Sequence, residues 1–304
     1  MCVNMNDKLR NYLDEDENIG IRKEYIGLIN EHLKDDIPCI DLNNNKPIFT
    51  EDDKKLLEGR SDYPFTDIDL RRCGVAFACI RDNTLSKPLN SPDSSDKRPK
   101  IHSKPSGFPK LKENIVNDRL IFQRCHLIGY RLYKIRNDKS KENVNLKKIF
   151  TGTRFMNNVM YYYEKKIYEY VYETKNHVLY RVTPYFKYND KLAKYDKLVS
   201  GVQMEAMFFN ESGNEDIDSS FNVFVYNKQP YIEFDYETGK DLTYKMPIME
   251  CNYVIDKKKR KFHIKDCASV WDFDNDRMDD FPEKTRKDLI YDGYLPCAIC
   301  DPGD

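Results

Sequence analysis

The sequence predicts an α+β fold built around a central antiparallel sheet. Apolar runs of strand length lie before and after one well-marked amphipathic helix, a pattern typical of α+β proteins. The chain has 304 residues, of which 40% are hydrophobic and 13% aromatic. This composition supports a buried core for one or two domains and excludes a disordered chain.

The strands are predicted from short apolar runs that are bounded by polar or charged residues. They lie at 71–80, 120–133, 178–186, 198–209, 221–226 and 231–236. A helix is predicted over 156–172, where apolar residues recur every four positions and form one stripe. The stripe consists of Val159, Tyr163, Ile167 and Val171. Residues 83–110 are rich in Ser, Pro, Asp and Lys, which predicts a long loop.

Three regions are distinguished along the chain. Residues 1–36 are predicted to form an acidic helical extension, and residues 37–245 form the main domain. Residues 250–304, called the C-terminal unit below, have their own pattern of Cys and His.

The formal net charge of −1 conceals an uneven distribution. Residues 97–181 contain 20 Lys and Arg against 7 Asp and Glu, so this segment carries +13 and the rest of the chain −14. A basic segment inside an acidic chain favours a binding site for a polyanion. Solvated surface lysines are an equally good explanation of the charge alone.

The sequence gives no sign of a membrane span or of export. No apolar run reaches the ~18–20 residues that a membrane helix needs, and residues 1–20 lack the apolar core of a signal peptide. As written, the chain is expected in the cytoplasm. The odd number of cysteines, 9, favours buried reduced thiols over a disulfide scaffold.

Within the basic segment, His126 lies between apolar residues of a predicted strand, where a histidine is by default part of the core. Asn145, Asn157 and Glu164 follow it, and the last two lie two helical turns apart on roughly the same side of the predicted helix. A neutral imidazole takes a proton from water near neutral pH. Amide and carboxylate oxygens suit a hard cation such as Mg²⁺, which offsets charge on a phosphate under attack.

Several segments in the same order resemble one enzyme family. They are PIFTEDDK, RRCGVAFACI, KPSGF, RCHLIGYRL, NL, TGTRFMN, YYYE, HVLYRVTPYF and GVQMEA. Together they resemble the DNA/RNA non-specific endonucleases, which are ββα-metal nucleases, and most of all the DNA-entry nuclease branch of Gram-positive bacteria. The resemblance covers about residues 37–245. It implies that the predicted α+β fold, with its central antiparallel sheet, contains a ββα-metal core.

The resemblance also implies roles for individual residues. His126 matches the general base, and Asn157 matches the asparagine that binds Mg²⁺ or Mn²⁺. Glu164 matches the helix glutamate near the metal, acting through its waters, and Asn145 matches an asparagine that supports the site. Arg124 matches the arginine that stabilises phosphate charge.

Arg181 is a weaker second candidate for the phosphate arginine. The sequence departs from the family pattern at two points. Gln123 stands where the family motif has an aspartate, so an acidic orienting group is missing. The interval from Asn157 to Glu164 is one residue shorter than the pattern, which weakens the assignment of Glu164.

Two alternative interpretations concern neighbouring side chains. Cys125 could be a nucleophile beside His126, but adjacent strand residues point to opposite faces, so a simple Cys–His dyad is disfavoured. The tyrosines at 161–163 could stack on bases, although tyrosines at helical spacing more often belong to the core.

The C-terminal unit contains two pairs of soft ligands. His263-x3-Cys267 and Cys297-x2-Cys300 provide a His-Cys₃ set, which suits one structural Zn²⁺ in a closed tetrahedral site. The unit resembles the small zinc-binding module of Ada-type DNA repair proteins, with His in place of one Cys. The alternative is four reduced thiol and imidazole groups without metal, and the long gap between the pairs keeps it open.

The function that the sequence favours is a Mg²⁺-dependent endonuclease that hydrolyses phosphodiester bonds of DNA, with RNA left open as a further substrate. Nucleic acid is therefore the expected partner, and an inhibitor or immunity protein is left open as another. Two alternatives remain: an inactive nuclease-like protein that binds nucleic acid, and a zinc-dependent interaction protein. Relatives in the family are often secreted, which conflicts with the cytoplasmic expectation, and the oligomeric state is undetermined.

Overall fold

The computed structural model describes the ranges 21–35, 37–58, 65–69, 71–86, 103–116, 119–133, 146–244, 253–274, 276–281 and 284–302. The α-helices in these ranges are α1 (Lys23–Glu31), α2 (Glu51–Glu58), α3 (Arg154–Thr174) and α4 (Arg286–Tyr291). The strands are β1 (Cys39–Asp41), β2 (Phe65–Asp69), β3 (Arg72–Ile80), β4 (Ile115–Val116), β5 (Arg119–Leu120), β6 (Phe122–His126), β7 (Ile149–Thr153), β8 (Val178–Tyr185), β9 (Tyr188–Asn189), β10 (Lys194–Tyr195), β11 (Gly201–Phe209), β12 (Glu215–Tyr226), β13 (Ile232–Asp235), β14 (Lys240–Tyr244), β15 (Tyr253–Asp256), β16 (Lys261–Ile264), β17 (Met278–Phe281) and β18 (Leu295–Pro296). Among these residues, no helix has both the length and the apolar character needed to cross a membrane.

A six-stranded sheet lies at the centre of the fold, with the strand order β1-β12-β11-β8-β3-β2. Every neighbouring pair in it is antiparallel. The prediction of an α+β fold with a central antiparallel sheet is therefore confirmed. Strands β3, β8 and β11 lie within a few residues of their predicted bounds, because each is a nearly continuous apolar run that is buried on both faces.

Helix α3 covers one face of this sheet. Its predicted apolar stripe is confirmed: Val159, Ile167 and Val171 are fully buried, and Tyr163 is partly buried against them. The stripe packs on sheet residues that alternate toward the same side. These include Val182, Met204 and Val223.

Two strands and the helix form a compact ββα unit. Strands β6 and β7 pair antiparallel, and α3 begins at the residue after β7. Thr153 caps the helix, since its Oγ1 accepts a hydrogen bond from the Met156 N–H at 3.0 Å. The same segment of chain therefore fixes the end of β7 and the start of α3.

The predicted strand over 120–133 is too long, because regular pairing in β6 ends at His126. Leu127, Ile128 and Leu132 are buried as expected of an apolar run, but they enter the core from a turn. Gly129 anchors this turn, since its N–H donates to Glu164 Oε1 at 2.6 Å. A Cβ at position 129 would displace that carboxylate, so glycine permits its close approach.

The C-terminal unit contains a second sheet, with the order β17-β15-β16-β18. Leu289 of α4 packs with Tyr253, Ile255 and Phe262 in a small apolar cluster. Cysteines of the unit join the main core cluster together with α3, so the C-terminal unit packs directly on the ββα unit.

The predicted N-terminal extension is described only from residue 21 onward. In that part, α1 buries Tyr25 and Ile29 against Phe224 and Tyr226 of the central sheet.

Candidate active site and metal centre

Asn157 lies in the first turn of α3 and is held by β6. Its Nδ2 donates a hydrogen bond to Gln123 Oε1 at 3.1 Å. The nitrogen end of the Asn157 amide therefore faces β6. Among the described residues, Asn157 Oδ1 has no hydrogen-bond partner. The side chain is partly exposed, so it presents an uncommitted hard oxygen donor.

Gln123 has a role that sequence reasoning missed. The sequence shows only the loss of a carboxylate at this position, whereas the Gln123 amide oxygen supplies the acceptor that orients Asn157. The two residues are 34 positions apart and meet because β6, β7 and α3 fold together. No local pattern in the sequence signals such a contact.

Arg124 and His126 lie two positions apart on β6, and strand alternation therefore directs both toward the same face. The Arg124 Nε donates to the Ser103 carbonyl at 2.8 Å, and its guanidinium carbon lies 4.2 Å from the centre of the Phe108 ring. In the described part of the chain, no carboxylate pairs with Arg124. The guanidinium is thus held in place, and none of the residues that the structure describes accepts from its remaining N–H groups, an arrangement that suits a phosphate oxygen. His126 is the last residue of β6 and is partly exposed.

Cys125 points away from His126, as alternation on β6 requires. Its side chain is 1% exposed, and its Sγ lies 3.9 Å from the Thr153 carbonyl oxygen in the core. Burial raises the pKa of the Cys125 thiol far above its usual range. A buried neutral thiol is a poor nucleophile, so the Cys–His alternative is not supported.

Glu164 is placed beside the turn that follows β6. Its carboxyl group accepts hydrogen bonds from the Gly129 N–H and, at 3.5 Å, from the Tyr180 hydroxyl. The residue as a whole is partly exposed, but the carboxyl group itself is surrounded by protein. Burial raises the pKa of Glu164 to about 8, although both hydrogen bonds act to lower it. These contacts explain how Glu164 holds the turn after His126, and its expected role near the metal stays a prediction.

Arg181, the second candidate for the phosphate arginine, lies among buried carboxylates. It lies on β8 between Tyr180 and Val182, which face α3, so alternation turns it to the opposite face of the central sheet. There its Nε donates to Glu205 Oε2 at 2.8 Å, and its Nη1 lies 3.6 Å from Asp53 Oδ2. An arginine that is committed to two buried carboxylates is not available to a phosphate. Asn145 lies outside the described residues, so its supporting role stays a prediction.

The tyrosines at 161–163 mostly pack against protein. Tyr162 makes an edge-to-face contact with Trp271, and the Tyr163 hydroxyl lies 3.6 Å from Cys39 Sγ. Tyr161 is 44% exposed, and its hydroxyl accepts a hydrogen bond from Arg131. The core interpretation therefore holds for two of the three.

The predicted His-Cys₃ set comes together in the C-terminal unit. One ligand atom from each residue lies within 4.8 Å of all the others, and all four residues are buried. They are His263, Cys267, Cys297 and Cys300. The long gap between the two pairs is closed because β16 and β18 pair in parallel, and the Cys297 N–H donates to the Phe262 carbonyl at 2.9 Å.

The chemistry of this Cys/His cluster fits a metal. Neither ring nitrogen of His263 has a hydrogen-bond partner within the described chain, although the residue is only 4% exposed. A buried imidazole without a partner is costly unless something else uses its lone pair. The Ile299 N–H points to Cys297 Sγ at 3.4 Å, and hydrogen bonds from Cys267 and Cys300 lower the pKa of the Cys297 thiol. Three sulfurs and one imidazole nitrogen are the ligands that tetrahedral Zn²⁺ prefers.

No protein-family model matches the sequence, and no curated protein matches it. Among solved structures, NucA from Streptococcus agalactiae with magnesium ion bound is similar with a TM-score of 0.51 and 21% identity, over 74% of this chain and 97% of that chain. The chain therefore has the NucA fold. The same NucA with no metal bound gives a TM-score of 0.49 and 23% identity over 74% of this chain and 97% of that one. An extracellular endonuclease gives 0.41 and 16% identity over 69% and 98%. The match to NucA confirms the predicted fold.

Proposed function

We propose that the chain is a Mg²⁺-dependent endonuclease that hydrolyses phosphodiester bonds of DNA, with His126 as the general base. The observation that carries the proposal is the ββα unit itself. On it, Asn157 is held against β6 by Gln123, and Arg124, which no carboxylate of the described residues pairs with, lies on the strand that ends at His126. These are a metal ligand, an anion-binding group and a proton acceptor on neighbouring elements.

The residues present fit a magnesium ion. Asn157 would hold it through Oδ1, since Nδ2 is committed to Gln123. A single amide ligand leaves most of the coordination sphere to water and phosphate, as is usual for Mg²⁺. When bound, the ion supplies positive charge that offsets the charge developing on the phosphate.

The chain's own residues supply the other parts of the reaction. His126 accepts a proton from the attacking water through a ring nitrogen, which contributes about 10²–10⁴-fold to such reactions. Arg124 binds the phosphate with the N–H groups that Ser103 does not use, and Phe108 keeps the guanidinium plane in place. DNA is the proposed substrate. RNA has the same phosphodiester linkage and is left open as a second substrate.

The Cys/His cluster would hold one structural zinc ion. All four ligand positions come from the protein and all are buried, so no position is open for substrate. This centre is therefore separate in chemistry from the magnesium site, because thiolates favour zinc and amide oxygens favour magnesium.

The test is cleavage of supercoiled plasmid by the purified chain with Mg²⁺ and with excess EDTA. An endonuclease produces nicked and then linear DNA only in the presence of the divalent ion. An inactive nucleic-acid-binding protein retards the plasmid without cutting it under either condition, and that result would overturn the proposal. Parallel reactions with single-stranded DNA and RNA of equal length define the substrate range.

A further inference from the structure

One side of α3 lies against the C-terminal unit. Four residues on it recur at intervals of four, four and three, which places them along a single line on the helix. Each contacts a different partner in the unit. The pairs are Arg154 Nη1 to the Ala298 carbonyl at 3.3 Å, Asn158 Nδ2 to Ser269 Oγ at 3.2 Å, the Tyr162 ring to the Trp271 ring at 4.8 Å between centres, and Lys165 Nζ to Asp272 Oδ2 at 2.7 Å.

A buried glutamine joins the same two parts. Gln229 is 6% exposed, its Nε2 donates to the Ile299 carbonyl at 2.9 Å, and its Oε1 accepts from the Phe155 N–H at 3.2 Å. Phe155 belongs to the first turn of α3, whose N–H groups have no partner within the helix. The C-terminal unit therefore contributes to fixing the start of the helix.

Both segments that touch α3 lie close in the sequence to members of the Cys/His cluster. Ser269, Trp271 and Asp272 follow directly after Cys267, while Ala298 and Ile299 lie between Cys297 and Cys300. A metal that joins the four side chains would therefore restrict both contact segments. Without it, two short segments would depend on their few hydrogen bonds to keep this shape.

In the sequence of α3, Asn157 lies between Arg154 and Asn158. The residues that contact the C-terminal unit therefore both precede and follow the proposed magnesium ligand along the helix. We propose that zinc at the Cys/His cluster holds the C-terminal unit against the first turns of α3, and thereby raises the affinity of the Asn157 site for Mg²⁺. The inference deepens the proposed function and rests on Asn157 as the magnesium ligand.

The two metal sites are then thermodynamically coupled. Coupling between sites in one protein typically changes affinity by about 5–150-fold, and the effect is reciprocal. Loss of zinc is expected to weaken Mg²⁺ binding within this range and to raise amide exchange over the first turns of α3.

The experiment compares the full chain with Cys297→Ser, both purified without added zinc. Three quantities are measured: zinc per chain by elemental analysis, the Mg²⁺ dissociation constant by calorimetry, and hydrogen exchange of residues 154–165. The wild type should contain one zinc per chain. Cys297→Ser should lose the zinc, bind Mg²⁺ at least about 5-fold more weakly and exchange faster over 154–165. Cys79→Ser is the matched control, because this cysteine lies outside the Cys/His cluster and packs on the face of the central sheet that α3 does not cover, and the variant should behave as wild type.

A second variant keeps the test decisive if Cys297→Ser unfolds. Trp271→Ala removes a partly buried contact with Tyr162 and leaves all four zinc ligands in place. It should retain one zinc while binding Mg²⁺ more weakly. The inference is overturned if the wild type contains no zinc, or if a folded Cys297→Ser binds Mg²⁺ as the wild type does. Where Cys297→Ser unfolds, wild-type Mg²⁺ affinity of Trp271→Ala overturns it. A chain that binds both metals with this coupling but cuts no DNA would contradict only the proposed nuclease activity.

Discussion

Charged side chains on the two faces of the central sheet have different kinds of partner. On the face that α3 covers, the carboxyl group of Glu164 is enclosed with only neutral hydrogen-bond donors. On the other face, Arg181 lies directly across from Glu205 and close to Asp53, and the three form a buried ion-paired group. Arg124, on the β6 hairpin beside α3, has no carboxylate partner in the described chain. The charged groups on the second face are thus paired with one another, whereas Glu164 and Arg124 have no oppositely charged partner among the described residues.

The largest effect on stability is expected from Arg181→Ala. Removing the arginine leaves Glu205 and Asp53 as buried carboxylates without their cation, which typically costs about 3–5 kcal/mol. The free energy of unfolding, measured in urea, should fall by this amount, while the cleavage rate per folded molecule stays unchanged. A stable variant with slow cleavage would instead place Arg181 in the active site.

Glu164→Gln is expected to change the pH dependence of stability. The folded chain favours the neutral acid, so the contribution of Glu164 is complete below its unfolded pKa and is lost as pH rises toward about 8. The glutamine stays neutral at all pH values and can still accept from the Gly129 N–H. The variant should therefore gain about 3 kcal/mol relative to wild type between pH 4.5 and pH 8, after discounting for partial exposure.

Denaturant unfolding of both proteins at pH 5 and pH 9 measures this difference. If the free energy of unfolding changes equally with pH in both proteins, Glu164 is ionised in the folded chain, as a carboxylate near a metal would be.

Arg124→Ala tests the arginine that has no carboxylate partner among the described residues. Charge-assisted hydrogen bonds contribute about 1.5–3 kcal/mol, so cleavage should slow by about 10–100-fold with little change in the unfolding transition. Arg124→Lys keeps the charge but loses the planar fork, and it should recover only part of the rate. If Arg124→Ala destabilises the fold and cuts normally, Arg124 belongs with Arg181 as a structural arginine.

Gln123→Ala changes metal affinity rather than stability, because it removes the acceptor that orients Asn157 without removing the metal ligand. Loss of such an outer partner typically lowers metal affinity by about 10–100-fold. Gln123→Glu retains an acceptor and should bind Mg²⁺ nearly as well as wild type. Calorimetric titration with Mg²⁺ measures both variants, and equal affinities for Gln123→Ala and wild type would remove Gln123 from the site.

These contrasts also separate what the sequence could predict from what it could not. The apolar stripe of α3 and the Cys/His ligands follow from regular spacing and ligand type, and the structure shows both. The sequence does not show which face of the central sheet Arg181 lies on, because this depends on the position of β8 between two other strands. The contact between Gln123 and Asn157 depends on folding three elements together, and a glutamine at that position carries no signal of its own.

The central claim is that His126 takes the proton from the attacking water. The most direct measurement is the single-turnover rate of plasmid cleavage by His126→Ala in saturating Mg²⁺, with DNA binding measured separately by fluorescence anisotropy. The control is His32→Ala, which changes a histidine that pairs with Asp35 beside α1. Cleavage by His126→Ala should be about 10²–10⁴-fold slower with unchanged DNA affinity, while His32→Ala cuts at the wild-type rate. Cleavage by His126→Ala at the wild-type rate would contradict the account.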